Sequence, residues 1–173
     1  MTAVIEARPV DSLNAVPATA SAVHRLVVAC SPATLQRRFF LPTTFGQETV
    51  WARYRDYLLA GPPDGTAVLA VAGETPVGLL NVIVIGARRA EVSLVVADAW
   101  QRRGVASWLL ATELAHPRWA GWAVLATVQP DNWPVRSLLR RLGPWQLVDR
   151  DPAAWDYAIT LPAPLLSVSS VSS

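Results

Sequence analysis

Apolar positions change their period about a third of the way along the chain, and that change divides the elements the sequence predicts. Residues 16–30 carry apolar side chains at helical spacing, after a stretch at 3–9 that reads as a short strand. Ser31-Pro32 then reads as a cap followed by proline at the first helical position, opening a short helix through residue 40. Residues 47–59 predict another helix, with Val50, Trp51, Tyr54, Tyr57 and Leu58 on one side, until Gly61-Pro62-Pro63-Asp64-Gly65 ends it.

From residue 66 the pattern shortens to β-rich runs at 66–72, 77–85 and 90–96, separated by turns at Gly73-Glu74 and Gly86-Ala87. This predicts an antiparallel meander. The helical stripe returns over 104–115 and stops at His116-Pro117; residues 122–128 then form an unbroken apolar strand, which predicts burial on both faces. Strand, helix and strand in that order make a parallel βαβ crossover. A further helix capped by Asp131 or Asn132 reaches Leu142, with Gly143 at its end, and strands follow at 145–148 and 155–161. The closing SVSSVSS has too little to bury, so we expect one domain over residues 1–162 and a disordered Ser/Val-rich tail over 163–173.

Composition narrows the chemistry. The 173 residues, 52% hydrophobic, suit one globular domain with a sizeable core. All 15 basic residues are arginine, which excludes a Walker-type phosphate loop and Schiff-base chemistry, since both need a lysine amine. The formal charge of +2 is spread along the chain rather than gathered in a basic arm, so no nucleic-acid partner is expected. Cys30 stands alone, and His24 and His116 are far apart, so neither a disulfide nor a metal site is expected. A reducing, cytoplasmic setting fits. The longest apolar stretch, 77–87, contains Asn81 and is too short to span a membrane, and charged residues break the first positions where a secretory signal would be apolar.

Residues 91–110, EVSLVVADAWQRRGVASWLL, are the most informative stretch. A strand runs into a loop of Arg and Gly that opens a helix. The free N–H groups of a first helical turn, the helix dipole, a glycine that lets an anion approach, and Arg102 and Arg103 together describe a phosphate site. The dinucleotide fingerprint G-x-G-x-x-G is absent, and strands first with one crossover after does not suggest a doubly wound sheet. A diphosphate bound otherwise is the reading that remains.

Gln101-Arg102-Arg103-Gly104-Val105-Ala106 resembles the Q/R-x-x-G-x-G/A signature of the GNAT superfamily of N-acetyltransferases. More narrowly, SPATLQRRFF (31–40) and AEVSLVVADAWQRRGVA (90–106) resemble the acetyltransferase domain of Pat-type bacterial protein lysine acetyltransferases, a resemblance that covers about residues 31–143. It implies a mixed α/β GNAT fold, with a central sheet of about six to seven strands flanked by helices. It implies acetyl-CoA as co-substrate, with its pyrophosphate on Gln101, Arg102, Arg103, Gly104, Val105, Ala106 and Ser107. Backbone groups of Leu94, Val95 and Val96 would meet the pantetheine arm and thioester, with Asn132 nearby. The acceptor would be a primary amine, a protein lysine by the Pat-type likeness; a small-molecule amine or an antibiotic is the alternative, because fold-level kinship does not fix the acceptor. A homodimer is compatible with the resemblance, and the sequence does not fix the oligomeric state.

Glu91 shares one strand face with Ser93. Taken from the strand alone, it reads either as a strand-end carboxylate paired with Arg88 or Arg89, the favoured reading, or as a partly desolvated carboxylate with a raised pKa, which is what a general base needs. The resemblance instead implies a general base, acting directly or through water on the substrate ammonium. The family often places a tyrosine acid in the helix after Asn132; the corresponding residue here is Leu139, so the proton donor to the thiolate is open. A non-catalytic acyl-CoA-binding module is the competing class, supported by Leu139 and opposed by Glu91. The Arg doublets at 37/38, 88/89 and 140/141 read as solvated faces, Trp133 as the tryptophan bordering a ligand cleft, and Cys30 as a buried, inert thiol.

Overall fold

The chain runs β1 (Leu13–Pro17), α1 (Ala20–Val28), α2 (Pro32–Phe39), α3 (Gln47–Leu58), β2 (Gly65–Ala72), β3 (Thr75–Gly86), β4 (Arg89–Val96), α4 (Val105–Leu114), β5 (Ala123–Val128), α5 (Trp133–Leu142), β6 (Gln146–Arg150) and β7 (Trp155–Thr160) in a computed structural model that describes residues 12–163. The strands form one sheet in the order β1-β2-β3-β4-β5-β7-β6. The expected meander is present as antiparallel β2, β3 and β4, and α4 makes the one crossover, to a parallel β5. The β6–β7 hairpin folds back so that β7, not β6, pairs with β5.

Strand alternation sorts the core into two layers. Ala90, Val92 and Val96 of β4 join Val124 and Ala126 of β5 and Leu109 of α4 in one buried cluster. Val95, on the opposite face, packs with Leu69 and Leu79 beneath Val23, Leu26, Leu35 and Val50 of the N-terminal helices. Gly78 lets α4 sit close to the sheet, because a Cβ there would lie 3.0 Å from Val105 and 3.1 Å from Leu109.

Two expectations change. The helix expected over 16–30 begins at Ala20, because Val16 and Pro17 belong to β1. Pro17 is tolerated there since β1 is an edge strand, and Thr19 caps the helix by accepting from the Ala22 N–H at 3.4 Å. β5 is buried on one face only: Val124, Ala126 and Val128 are buried while Thr127 is exposed. An unbroken apolar run concealed this, because alanine, leucine and threonine also line the open face. The strand expected at 3–9 and the tail from 164 onward lie outside the described residues. Among the described residues no helix is long and apolar enough to cross a membrane.

Candidate active site

The β4–α4 connection leaves the N-terminus of α4 open. After β4, Ala97 is buried and a 3-10 turn at Asp98–Trp100 reverses the chain. Arg102 at φ 64 and Gly104 at φ 85 then take left-handed backbone, which lets the loop wrap over the start of α4. Gly104 provides no side-chain cap, and the first bond of the helix is Trp108 N–H to the Gly104 carbonyl at 2.9 Å. The N–H groups of Val105, Ala106 and Ser107 are therefore left without a helical partner at the positive end of the dipole. Arg102 is exposed, and the Arg103 guanidinium lies 5.5 Å from the Trp100 ring centroid.

This loop is tied to α2. The Gln101 side-chain amide donates to the Thr34 hydroxyl and to the Val96 carbonyl, each at 3.1 Å. Asp98 accepts from the Ser31 N–H and hydroxyl, both at 2.7 Å, and from the Thr34 hydroxyl at 3.0 Å. Desolvation works to raise the Asp98 pKa, but these hydrogen bonds from Ser31 and Thr34 outweigh it and hold the carboxyl below its ordinary range. The amide of Gln101 is thus spent inside the protein, as a brace for the loop.

Beside the loop, the sheet opens. β4 and β5 pair only over Arg89–Glu91 against Ala123–Leu125. Beyond Glu91, among the described residues, no backbone hydrogen bond joins Leu94, Val95 or Val96 to β5. Because β4 and β5 are parallel, α4 and α5 both start at the same end of this gap. Asn132 opens α5, its side chain accepting from the Val135 N–H at 3.4 Å. Trp133 follows with an exposed indole, stacked 4.2 Å from the Arg136 guanidinium carbon.

Glu91 is the last residue of β4 that pairs with β5, and it faces the N-terminal helices together with Ser93. Arg38 of α2 donates to the Ser93 hydroxyl at 2.7 Å and to the Asn81 side-chain carbonyl at 3.3 Å. Asn81 lies opposite Ser93 in the β3–β4 register, is fully buried, and donates to the Leu58 carbonyl at 3.0 Å. The Tyr57 hydroxyl lies 2.8 Å from the Ser93 hydroxyl. On the other side, Asp156 of β7 accepts from Thr127 at 2.8 Å. Burial pushes the Glu91 pKa up; Arg38 pulls it down and Asp156 adds to the rise, leaving it above the ordinary glutamate value.

This corrects one expectation. Arg38 is not part of a solvated face: its guanidinium is enclosed, and its buried Nε has no hydrogen-bond partner among the described residues. The signal was present in spacing, since Arg38 and Phe39 fall three and four residues after buried Leu35 and share its face of α2. Its neighbour Arg37 points away and pairs with Asp131 at 3.1 Å. That pair lines a cleft of about 420 Å³ between the end of α2, the β5–α5 loop and the β6–β7 turn. Leu139 is buried in the core of the α4–α5 layer. Burial first, and then Asp98, push the Cys30 thiol up to about 12, which suits an inert thiol. Among the described residues no group of three or more His, Cys, Asp or Glu side chains is arranged to hold a metal.

The model of the acetyltransferase (GNAT) family matches residues 32–143. The chain belongs to the GNAT family. Its fold is that of the solved members. The GNAT domain of S. lividans PAT aligns with a TM-score of 0.71 at 22% identity, over 86% of this chain and 90% of that one. An acetyltransferase from Thermus thermophilus aligns at 0.67 with 23% identity, over 87% and 97%. Spermidine N-acetyltransferase from Vibrio cholerae, solved with CoA and spermine, aligns at 0.65 with 15% identity, over 87% and 96%. No curated protein matches this GNAT chain.

Proposed function

We propose that this GNAT protein is an acetyl-CoA-dependent N-acetyltransferase that moves an acetyl group directly to a primary amine, with Glu91 as general base. The observation that carries the reading is the position of Glu91 at the closed end of the β4–β5 gap, with the open α4 N-terminus at the mouth of that gap. The exposed Gly104, three free N–H groups and two arginines fit the diphosphate of acetyl-CoA. The unpaired edge of β4 suits the pantetheine arm, with Leu94, Val95 and Val96 beside it and Asn132 across the gap.

In this reading Glu91 takes a proton from the acceptor ammonium, directly or through water. The neutral amine attacks the thioester carbonyl carbon, strand N–H groups stabilise the oxyanion, the C–S bond breaks, and CoA leaves as thiolate. Leu139 offers no proton, so solvent protonates the thiolate. The acceptor we favour is a protein lysine, supported by SPATLQRRFF and by the likeness to the PAT domain. The working compartment we favour is the bacterial cytoplasm.

The test is CoA thiol release from acetyl-CoA with pooled lysine peptides, polyamines and aminoglycosides, comparing the protein with Glu91→Gln. Amine-dependent release that the variant loses while still binding acetyl-CoA supports the proposal. Because the chain has no lysine, every acetyl-lysine formed must come from the acceptor. Binding of acetyl-CoA with no release from any amine would favour the non-catalytic module.

A further inference from the structure

We infer that Arg38 and Asp156 are positioning residues that bracket Glu91 with fixed charges of opposite sign, and that their balance decides whether Glu91 is ionised when the acceptor arrives. This rests on the reading of Glu91 as the base.

The bracket is built into the fold. Arg38 cannot swing away freely, because its terminal nitrogen is held by both Ser93 and Asn81. Ser93 is the next residue on Glu91's own face of β4, and Asn81 is the residue opposite it on β3. Two strands thus fix the cation one step along the sheet from Glu91. Asp156 is fixed from the other side. Leu125 of β5 lies opposite both Glu91 and Ala158 of β7, so the register puts Thr127 and Asp156 one step further along the same face. The Thr127 hydroxyl holds the Asp156 carboxylate there.

A buried cation is costly unless opposite charge lies near it. Arg38 has no carboxylate within ion-pair distance among the described residues, and its Nε finds no acceptor. Burial works against its charge, Tyr57 supports that charge, and Glu91 is the carboxylate that supports it further, at a longer range than a salt bridge. That distance has a chemical use: a salt-bridged carboxylate would have its oxygens occupied, whereas one stabilised from a distance keeps them free to take a proton. Asp156 opposes the arginine and keeps the carboxylate basic enough to do so. Among the described residues Tyr57 of α3 also faces this side, its hydroxyl 2.8 Å from that of Ser93, whereas the Arg37–Asp131 pair points away into the cleft. Ile83 and Leu125, directly opposite on β3 and β5, are apolar.

The test reads Glu91 itself. The chain has five glutamates, so the side-chain carboxyl carbons can be labelled with 13C and titrated by NMR, the Glu91 signal being the one absent from Glu91→Gln. Arg38→Met should move the Glu91 midpoint to higher pH, Asp156→Asn should move it to lower pH, and Arg38→Lys should leave it nearer the unsubstituted protein than Arg38→Met does. If the Arg38→Met and Asp156→Asn shifts share a sign, or neither occurs, the bracket is overturned. Should Arg38→Met fail to fold, Asp156→Asn decides, and an unmoved midpoint overturns the proposal. Failure of the underlying reading looks different: Glu91→Gln would keep full amine-dependent thiol release even though the titration shifts were present.

Discussion

Asp98, just past β4, receives both the N–H and the hydroxyl of Ser31, at the start of α2, at 2.7 Å each. One carboxylate thus caps the region where α2 begins and braces the loop that leads to α4. Asp98→Ala should lower stability by about 1 kcal/mol, the low end for charge-assisted hydrogen bonds at an exposed residue, or roughly 2–4 °C in Tm. The sign with pH follows from the depressed pKa: the contribution is complete above the ordinary aspartate value and is lost as pH falls through the lower folded value. Thermal melts of both proteins at several acidic pH values should converge at the acid end.

Gly104 combines a left-handed backbone with an exposed position above three free N–H groups. Gly104→Val should cost about 1–2 kcal/mol in stability, because a β-branched residue is strained at positive φ. Its larger effect should be on acetyl-CoA, with affinity falling at least about tenfold, equivalent to about 1.4 kcal/mol. Calorimetric titration with CoA at low and moderate salt checks this. An affinity that survives the valine would place the diphosphate elsewhere.

Burial raises the pKa of half-buried Glu91, Arg38 lowers it and Asp156 raises it again, leaving the net shift upward. Only the ionised form accepts a proton. The acidic limb of kcat/KM should therefore lie above the ordinary glutamate range, with activity lost as pH drops through that raised midpoint. Glu91→Gln should reduce kcat by about 10²–10⁴-fold while the Kd for acetyl-CoA stays near that of the unsubstituted protein. Rates with a responsive amine, measured from acid to alkaline pH, test both statements.

The β4–α4 loop was legible because its parts are neighbours in sequence: an Arg-Arg-Gly turn between a strand run and a helical stripe states its own geometry. The meander was legible for the same reason, as each turn lies between the strands it joins. Arg38 was harder, since residues one apart on a helix point about 100° apart and only the spacing from Leu35, not the doublet itself, marks which arginine turns inward. Asn81 read only as a break in an apolar run. Its meaning depends on register: which strand lies opposite, and that Ser93 is the residue met there. Asp156 needed more still, because β7 reaches the neighbourhood of Glu91 only by inserting between β5 and β6. Local chemistry was thus readable, while the polar surroundings of Glu91 are a product of long-range pairing.

Arg136 shows the cost of such a long-range arrangement most plainly. It is buried on α5, donates from Nε to the Tyr157 hydroxyl at 3.1 Å and from a terminal nitrogen to the Pro130 carbonyl at 3.0 Å. Its guanidinium is stacked between Trp133 and Trp155, 4.2 and 4.1 Å from their centroids, and Arg150 covers Trp155 as well. Truncating it strands two polar partners and removes the layer between two indoles. Arg136→Ala should therefore destabilise the protein by about 2–4 kcal/mol. Arg136→Lys should recover little of this, because an ammonium cannot fill a planar slot or reach both acceptors as a fork does. Denaturant unfolding followed by tryptophan fluorescence measures both, and a lysine variant as stable as the unsubstituted protein would show that the charge alone, not the planar stack, holds α5 against β7.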